Sequence, residues 1–487
     1  MPLADDSGNA ATHHGRMTRA MNESGVVFGT SGARGLVTAF TDEVCAAYVH
    51  AFVAVMRESF RFDTVALGMD LRPSSPRIAA ACADAIARAG LRVDWCGVLP
   101  TPALASHALA AGVPAVMVSG SHIPFDRNGL KFYRPDGEIS KDDEQAILAV
   151  DLAMPPAATA PLASADPRAL DAYARRYLGY FPAALLAGKR VGLYEHSSAS
   201  RDVFARILQG LGAEVVSLGR TDAFVPIDTE AVSAEDAARG REWAATHRLD
   251  AIISTDGDGD RPLVAGEDGV WLRGDIVGLL CARELGIQAL AVPVSCNTAI
   301  EACGAFAQVR RTRIGSPHVI AGMEALQPEH ARVAGFEANG GFLLGCRIDG
   351  PRSTLEALPT RDAVLPALAV LAAASRAGVP VSRLPATLPQ RHTASDRLQD
   401  FPTARSRELL ARWAAEPSAL LEWLDLGLAP VASVDTTDGL RMALDSGEIV
   451  HLRPSGNAPE LRCYCEADRP DRAAALVRDV LDRLTTI

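Results

Sequence analysis

The sequence predicts three consecutive α/β domains, each a doubly wound and mainly parallel sheet, followed by a smaller C-terminal α+β domain. Three observations carry this prediction. Apolar runs of strand length alternate with segments of helical periodicity through most of the chain, which is typical of parallel sheets covered by helices. Near residue 391 this alternation gives way to strands joined by tight turns. A chain of 487 residues is also too long for one hydrophobic core.

The first α/β unit begins with the helix TDEVCAAYVHAFVAVMRES, for which Thr41 is the expected N-cap. The strand TVALGMD follows, and the next helix opens at Pro76 and closes at Gly90. The strand LRVDWCGV, the helix TPALASHALAAG and a strand at 116–118 continue the alternation. Ser121 therefore lies at the carboxyl end of a strand, where such sheets bind their ligands.

The remaining units follow the same reading. The second contains the helix PRALDAYARRYLGYF and the strands RVGLYEH and DAIIST, and the third runs from the strand QALAVPVSC through RVAGFEANGG to the helix RDAVLPALAVLAAASRAG. In the last domain LRMALDSGEIVHLRP predicts a hairpin, ELRCYCEAD a strand and RAAALVRDVLDRL a closing helix. The expected divisions are a flexible tail over 1–24, α/β domains over 25–155, 165–278 and 279–390, and the α+β domain over 395–487.

Composition excludes several function classes. No run approaches the roughly 18 apolar residues of a membrane span, so we expect no membrane partner. The formal net charge of −11 argues against binding to nucleic acid or anionic lipid, because both require a basic surface. Nine scattered cysteines without a C-x-x-C pair favour free thiols in a reducing compartment, and hence a cytoplasmic protein.

The most specific local motif is STDGDGDRPLVAGEDG. Asp256, Asp258 and Asp260 alternate with glycines, so three carboxylates can converge on a hard cation such as Mg²⁺ or Ca²⁺. An EF-hand is the alternative, because Glu267 stands where the last ligand of that loop belongs. Against it, Arg261 occupies the position that requires a glycine, and the entering segment DAIIST has β character. A strand-end Mg²⁺ site is favoured, and a turn without metal is the third possibility.

A second candidate is Ser121 in the stretch SGSHIPFDRNGLK. A serine hydroxyl is a weak nucleophile until a base or a metal activates it. His122, Asn128 and Lys131 offer a proton acceptor, a donor and a positive charge nearby. Judged from this loop alone, a structural role is favoured, in which Ser121 caps a turn and His122 packs against it.

Two further stretches contain residues suited to a sugar phosphate. In GFEANGG, Glu337 lies among small residues, and a carboxylate can accept hydrogen bonds from two adjacent hydroxyls. In RPSGNAPELR, Arg453, Ser455, Gly456 and Asn457 provide the clustered donors that bind a phosphate dianion. An ordinary turn explains either stretch equally well when it is judged alone.

Taken in this order, the four stretches resemble the α-D-phosphohexomutase family, in particular its phosphomannomutase/phosphoglucomutase group. The resemblance extends from about Val26 to the C-terminus. VVFGTSGARG is similar to the family's opening FGTSGxRG, GMDLRPSS to its GxDxRxSS, and SGSHIPFDRNGLK to its phosphoserine loop TASHNPxxxNGxK, while DGDGDR is its metal loop unaltered. The resemblance implies three α/β domains and a smaller fourth domain around a central cleft.

The resemblance also implies an activity, the interconversion of hexose 1-phosphate and hexose 6-phosphate, with mannose or glucose or both as the hexose. Ser121 would carry a phosphoryl group bound to Mg²⁺, a glucose or mannose 1,6-bisphosphate would be the intermediate, and Lys131 would transfer a proton. The protein would be a monomer or a homodimer with small-molecule hexose phosphates as partners. The implied catalytic residues are Ser121, Lys131, His122 and Arg34, the metal ligands Ser121, Asp256, Asp258 and Asp260, and the substrate contacts Arg261, His318, Glu337, Asn339, Arg453, Ser455, Gly456, Asn457 and Arg462.

Several positions depart from the family pattern. Gly120 and Ile123 replace the usual Ala and Asn, Asn339 stands where Ser is common, and GNAPE replaces GTEP. These departures bear on the substrate more than on the reaction. A strict phosphoglucomutase, a phosphoglucosamine mutase and a non-catalytic sugar-phosphate sensor are the alternatives; Ser31 disfavours the glucosamine branch, which usually has Asp there, and the intact nucleophile and metal loop disfavour the sensor.

Overall fold

The computed structural model describes residues 17–29, 32–153, 157, 159, 161–455 and 459–486. Three successive α/β domains and a C-terminal domain with an antiparallel sheet make up this part of the chain, which confirms the predicted fold class. Among the described residues no single helix is long and apolar enough to cross a membrane, although one bent pair, Val364–Ala377 with Val381–Thr387, passes on length and composition.

The first domain is a mixed sheet covered by helices. Its elements are α1 (Met17–Glu23), β1 (Val27–Phe28), β2 (Ala33–Leu36), α2 (Asp42–Ser59), β3 (Thr64–Met69), α3 (Ser75–Arg88), β4 (Arg92–Val98), α4 (Thr101–Ala111), β5 (Ala115–Val118), β6 (Arg127–Arg134), β7 (Gly137–Glu138) and α5 (Lys141–Ala149). The strands run in the order β1-β2-β6-β5-β3-β4, with β7 paired to β6. Only β3, β4 and β5 are parallel. The prediction of a mainly parallel sheet is wrong here, because β6 returns directly beside β5 without a crossover helix.

The N-terminal part of this domain also corrects an expectation. A flexible tail was predicted through residue 24, but α1 is a helix whose Met17 and Met21 are buried against the first core. These two methionines stand four positions apart and so occupy one helical face. The predicted N-cap is confirmed, since Thr41 accepts a hydrogen bond from the backbone of Val44 at 3.3 Å.

The second domain has a smaller sheet. Its elements are α6 (Arg168–Tyr180), β8 (Arg190–Tyr194), α7 (Arg201–Gly210), β9 (Glu214–Leu218), α8 (Ala234–His247), β10 (Ala251–Thr255) and β11 (Pro262–Gly266). The strands run in the order β11-β10-β8-β9, with β8 parallel to both β9 and β10. β11 folds back antiparallel on β10, so residues 256–261 form the turn between two strands.

The third domain repeats this plan. Its elements are α9 (Gly274–Glu284), β12 (Ala289–Pro293), α10 (Ala299–Ala302), β13 (Gln308–Thr312), α11 (Ser316–Leu326), β14 (Val333–Phe336), β15 (Phe342–Leu344), β16 (Ile348–Asp349), β17 (Thr354–Leu355), β18 (Leu358–Asp362) and α12 (Val364–Ala377). The main sheet has the order β13-β12-β14-β15-β18. The predicted helix RDAVLPALAVLAAASRAG starts three residues late, because Arg361 and Asp362 belong to β18.

The fourth domain is a fully antiparallel sheet with helices. Its elements are β19 (His392–Leu398), α13 (Thr403–Ala415), α14 (Pro417–Leu424), β20 (Val431–Asp435), β21 (Leu440–Leu444), β22 (Ile449–Pro454), β23 (Leu461–Ala467) and α15 (Pro470–Leu484). The order is β19-β23-β22-β21-β20, and the predicted hairpin is the pair β21 and β22.

The cores show how the domains are joined. One continuous apolar cluster contains residues of all three α/β domains, for example Met117, Phe204 and Leu290, whereas the C-terminal domain has a separate core around Trp413 and Leu452. The first three domains therefore pack as one body against which the fourth stands. All nine cysteines are free thiols, as predicted.

Candidate active site

Ser121 lies in a sharply turned loop directly after β5. Its φ of 54° is in the left-handed region, which is uncommon for a serine. Its backbone N–H donates to Ser119 Oγ at 2.8 Å, and its carbonyl accepts from Arg72 Nη2 at 2.7 Å. The buried Arg72 also donates to the carbonyls of Ile123 at 2.6 Å and Pro124 at 2.8 Å. One guanidinium thus holds the loop in the conformation that presents the serine hydroxyl.

Three carboxylates converge in the turn between β10 and β11. Asp256, Asp258 and Asp260 are buried, and one oxygen from each lies within 4.8 Å of the others. Ser121 Oγ donates to Asp256 Oδ2 at 2.5 Å across 135 positions of sequence. The other oxygen of Asp256 accepts from the backbone N–H groups of Asp260 at 3.1 Å and Arg261 at 3.2 Å. The structure therefore places the predicted nucleophile against the predicted metal loop.

The donors of this cluster fit a hard divalent cation. Asp258 Oδ1 and Asp260 Oδ1 are buried without a hydrogen-bond partner among the described residues. An all-oxygen ligand set is the kind that Mg²⁺ prefers. Burial, together with the charges of Asp260 and Asp258, holds the pKa of Asp256 well above its usual range. A cation bound here would offset that repulsion.

Two basic side chains neutralise the carboxylates within the protein itself. Lys131 Nζ lies 2.5 Å from Asp258 Oδ2 and 2.7 Å from Asp260 Oδ2. Arg361, on β18, places Nη2 3.0 Å from Asp260 Oδ2. Burial acts to raise the pKa of Asp260, but the charges of Arg361, Lys131 and Arg261 outweigh burial and hold that pKa below its ordinary value.

The EF-hand alternative does not survive the geometry. The residues on both sides of the loop are strands, β10 and β11, paired with each other. Glu267, the residue proposed for the last calcium position, instead accepts a hydrogen bond from the hydroxyl of Ser382.

A second group of possible metal ligands consists of Asp94, Cys96 and His107. In this group His107 Nε2 is paired with Asp94 Oδ2 at 2.6 Å.

His122 contacts an arginine more closely than it contacts the serine. Arg261 Nη1 lies 2.7 Å from His122 Nδ1, whereas Ser121 Oγ lies 3.4 Å from it. A guanidinium can only donate, so Nδ1 accepts and the ring proton lies on Nε2. Burial and the charges of Arg261 and Arg34 hold the pKa of His122 well below 6.5. The proton-acceptor role considered for His122 thus has a competing partner, since its acceptor nitrogen binds Arg261.

Arg34, on β2, is also buried in this region. Burial, followed by the charges of Arg261 and Arg361, lowers its pKa to about 10. That pKa still leaves the guanidinium charged at neutral pH. Its Nη2 is buried without a hydrogen-bond partner in the described part of the chain, so it is available to an anion that enters the site.

The candidate sugar loop follows β14. Glu337 Oε1 accepts from the N–H of Gly315 at 3.1 Å, and Oε2 accepts from Arg361 Nη1 at 3.0 Å. Asn339 Oδ1 accepts from the N–H of Gly341 at 3.0 Å and so braces the loop internally. Arg361 is the shared partner of this loop and of the metal loop.

Two departures from the family pattern have local reasons. A Cβ on Gly120 would lie 2.6 Å from Arg72 Cζ, so an alanine there would require the guanidinium that holds the serine loop to shift. Asn339 Oδ1 accepts a hydrogen bond from the N–H of Gly341. A Cβ added to Gly341 would lie 2.7 Å from Cδ of Arg361. Both loops therefore pack closely against a buried arginine through a glycine.

The candidate phosphate-binding residues lie on neighbouring strands of the fourth domain. Arg453 on β22 stands directly opposite Arg462 on β23. Arg453 Nε donates to Asp438 Oδ1 at 2.9 Å, and Asp438 Oδ2 accepts from the N–H of Ile314 in the third domain at 2.9 Å. Ser455 is buried beside them. Gly456 and Asn457, which were predicted to bind phosphate, lie outside the described residues.

A cavity of about 560 Å³ joins these parts. Small-molecule sites usually have volumes of roughly 300 to 1,000 Å³, and this cavity lies within that range. Its walls come from all four domains, and six arginines line it. Of the predicted site residues, those that line it are Arg34, His122, Arg261, Glu337, Asn339, Arg453, Ser455 and Arg462.

His318 is placed apart from that cavity. It lines a neighbouring hollow of about 210 Å³ with Lys141, Arg313 and Asp438, and this hollow shares Arg453 with the main cavity. Burial and the charges of Lys141 and Arg313 lower the pKa of His318. The expected contact between His318 and substrate stays a prediction.

Several residues of the site were missed in the sequence. The sequence pattern places Arg361 at the start of a helix, and it contains Arg72 in a motif without indicating a role for that residue. Thr101, whose Oγ1 donates to Asp258 Oδ2 at 2.5 Å, looked like an ordinary helix start. Asp438 and Glu230 lie in turns with no motif. The one available signal was a charged residue, Arg361, between two apolar segments, which is rarely buried without a partner.

Comparisons with known proteins agree with this geometry. Models of the phosphoglucomutase/phosphomannomutase family match α/β/α domain I at residues 25–150, α/β/α domain III at 273–392 and the C-terminal domain at 403–483. Fold and site together define a phosphohexomutase, an enzyme that transfers phosphoryl groups on hexose phosphates. The chain belongs to the phosphoglucomutase/phosphomannomutase family.

Individual relatives are similar over nearly the whole chain. A phosphomannomutase of Salmonella muenchen is 51% identical over 464 residues, which are 95% of this chain and 96% of that protein. A phosphomannomutase of Sinorhizobium fredii is 46% identical, over 93% of this chain and 97% of that protein. A phosphoglucosamine mutase of Allorhizobium ampelinum is 27% identical, over 93% and 97%.

Solved structures share the fold. A phosphoglucomutase/phosphomannomutase family protein of Burkholderia thailandensis superposes with a TM-score of 0.74 at 21% identity, over 95% of this chain and 97% of that one. The open form of the phosphoglucomutase parafusin from Paramecium has a TM-score of 0.70 at 15% identity, over 94% and 95%.

Proposed function

We propose that the protein interconverts the 1- and 6-phosphates of mannose, with glucose as a second hexose, through a phosphoserine at Ser121 and a hexose 1,6-bisphosphate. The single observation that carries the proposal is the 2.5 Å hydrogen bond from Ser121 Oγ to Asp256 Oδ2 within a buried group of three carboxylates. The names of the relatives at 51% and 46% identity favour mannose.

The residues that would hold Mg²⁺ are Asp256, Asp258 and Asp260, with an oxygen of Ser121 or of its phosphate as a further ligand. When bound, the ion would neutralise negative charge on the transferred phosphoryl group. Lys131, now paired with two of the carboxylates, is the proposed group for proton transfer.

The reaction takes place as two transfers. A hydroxyl oxygen of the hexose monophosphate bonds to the phosphorus carried by Ser121, the bond from phosphorus to Oγ breaks, Lys131 donates a proton to Oγ, and the amine so formed takes up the hydroxyl proton. The bisphosphate then turns over in the cleft, and its other phosphate returns to Ser121. The guanidinium groups of Arg453 and Arg462 would bind the phosphate that is not being transferred.

Water must be excluded while the phosphoserine exists, because hydrolysis would waste the phosphoryl group. The bonds from Asp438 to Arg453 and to Ile314 support this requirement. They join the fourth domain, which has its own core, to the third domain at the edge of the cavity.

Coupled assays with mannose 1-phosphate, glucose 1-phosphate and glucosamine 1-phosphate test the proposal, together with an intact-mass measurement for one phosphate. Ser121→Ala is expected to lose nearly all turnover with every sugar. The control is Ser375→Ala, on an exposed position of α12, which should behave as wild type. Wild-type activity in Ser121→Ala would exclude the phosphoserine route, and turnover of glucosamine 1-phosphate alone would favour the phosphoglucosamine mutase alternative. Binding of hexose phosphates without turnover of any of them would favour a sensor.

A further inference from the structure

The segment between β9 and α8 of the second domain reaches the main cavity with two acidic residues. Asp228, Glu230 and Ala231 line the cavity on this side. Neither carboxylate belongs to a motif, and neither touches the metal loop in a described contact. The wall is otherwise strongly basic, so the presence of carboxylates there requires a reason.

The backbone of this segment is held in place at several points. Asp228 Oδ1 accepts from the N–H groups of Glu230 at 3.0 Å and Ala231 at 3.2 Å, so the first carboxylate is used to shape the turn. The carbonyl of Glu230 accepts from Arg273 Nη1 at 2.9 Å. Thr229 Oγ1 donates to the carbonyl of Asn339 at 2.9 Å, which docks the turn on the candidate sugar loop. The position of Glu230 is therefore built and not incidental.

The carboxylate of Glu230 is the group that this turn presents to the cavity. It has no hydrogen-bond or ion-pair partner among the residues that the structure describes. Burial and the charge of Asp228 raise the pKa of Glu230 above its ordinary value, although the charges of Arg462, Arg273 and Arg261 act to lower it. A half-buried carboxylate in this setting gains most from a donor that the protein does not supply.

The other carboxylates that line the cavity are already engaged: Asp228 shapes its own turn, and Asp396 Oδ1 accepts from the N–H of Arg397 at 2.8 Å. Glu337 accepts from Gly315 at one oxygen and from Arg361 at the other. A phosphate would be repelled by a carboxylate, and the six arginines of the cavity offer it better partners. The chemistry that remains for Glu230 is acceptance of a hydrogen bond from a neutral sugar hydroxyl.

We propose that Glu230 binds a hydroxyl of the hexose ring and helps to determine which hexose phosphates are accepted. This inference rests on the proposed function for the identity of the substrate class. Glu230 would be a substrate-contact residue from the second domain, supported through Thr229 by the loop that contains Glu337. Because the contact is to one hydroxyl, its loss matters only for sugars that carry that hydroxyl.

The test compares Glu230→Gln with wild type on a series of sugars. The substrates are mannose and glucose 6-phosphates and the 2-, 3- and 4-deoxy analogues of glucose 6-phosphate. We expect Glu230→Gln to lower kcat/KM by about 10- to 100-fold, mainly through KM, for sugars with the partner hydroxyl. For one deoxy analogue the variant and wild type should differ by less than about 2-fold, because the lost contact is already missing.

The matched control is Glu242→Gln, which removes one carboxylate from an exposed position of α8 and should change no value. Equal losses with every sugar would assign Glu230 a structural role and overturn the inference, as would no loss with any sugar. Binding of the same sugars is also measured to Ser121→Ala protein with and without Glu230→Gln. This measurement separates the inference from the proposed function. If wild type lacks turnover but Glu230→Gln weakens binding in the sugar-selective pattern, the inference stands and the proposed function fails. If wild type turns over and the pattern is flat, only the inference fails.

Discussion

Arg361 binds Asp260 with two nitrogens, Nε at 3.1 Å and Nη2 at 3.0 Å, both directed at the same carboxylate oxygen. Its third nitrogen donates to Glu337 at 3.0 Å. A single buried side chain thus connects the metal loop of the second domain with the sugar loop of the third. Burial acts to lower the pKa of Arg361, but Asp260 and Glu337 raise it well above its ordinary value.

Arg361→Met should therefore affect both stability and activity. Leaving two buried carboxylates without their partner is expected to lower the free energy of unfolding by about 3 to 5 kcal/mol. Mg²⁺ should raise the Tm of this variant more than that of wild type, because the ion supplies part of the missing positive charge. Thermal unfolding with and without Mg²⁺ measures this. Arg376→Met, which breaks an exposed ion pair with Glu284, is the control and should cost less than about 1 kcal/mol.

Removal of metal should abolish activity without unfolding the protein. Lys131 and Arg361 already neutralise Asp258 and Asp260, so the cluster remains paired when no ion is present. We expect treatment with EDTA to reduce turnover by more than about 100-fold and Mg²⁺ to restore it. Circular dichroism of the treated protein should be unchanged. Full activity after exhaustive chelation would contradict a metal-dependent transfer.

Asp438→Asn should weaken substrate binding. Asp438 orients Arg453 and joins it to the third domain through Ile314, and the amide loses the charge that holds the guanidinium. We expect KM for hexose phosphates to rise about 10-fold, since a charge-assisted bond contributes roughly 1.5 to 3 kcal/mol. Steady-state kinetics measure the change. Asp445→Asn, in the exposed turn between β21 and β22, should leave KM unaltered, and an unchanged KM in Asp438→Asn would contradict the positioning role.

His196 should make folding stability dependent on pH. Burial lowers its pKa to about 4, while its Nε2 lies 2.9 Å from the carbonyl of Thr255 beside the metal loop. Between pH 4 and about 6.5 the unfolded chain binds a proton that the folded chain does not, so stability falls as the pH falls through this window. The contribution of His196 is fully present above about pH 6.5, and about 3 kcal/mol of it is lost at pH 4.

Urea unfolding from pH 7 to pH 4 measures this dependence. His196→Gln keeps a donor for the Thr255 carbonyl but does not titrate, so its stability curve should be flatter than that of wild type over the same window. His247→Gln, at the end of α8, serves as the control. Parallel curves for wild type and His196→Gln would show that His196 does not carry the dependence.

Local features were predictable wherever adjacent residues decide them. The cap at Thr41, the hairpin of β21 and β22, and the strand that ends just before Asp256 all depend on chain neighbours, and the structure has each of them. The antiparallel return of β6 beside β5 was not predictable in this way. A strand has the same composition whichever direction its neighbour runs, so periodicity does not reveal the pairing.

Long-range positions could be inferred only in part. The residue types and order of Ser121 and the three aspartates indicate their chemistry. Only the family resemblance implied that these four residues lie close together. His318 does not belong to any of the quoted motifs, and the structure places it in the hollow beside the main cavity. Arg361 offered only its charge between two apolar segments, and Asp438 had no local signal, because its role depends on a partner in another domain.

The sequence by itself determined the succession of four domains, the acidic metal loop and the serine at a strand end, since residue type, spacing and hydrophobic period encode these directly. The tertiary structure alone decided which charges neutralise one another. Ser121 Oγ and Asp256 Oδ2 are 2.5 Å apart because the strand ends of two different sheets lie side by side. Arg361 reaches both the metal loop and the sugar loop because three domains share one core. Electrostatic pairing depends on distance through space, which the order of residues along the chain does not specify.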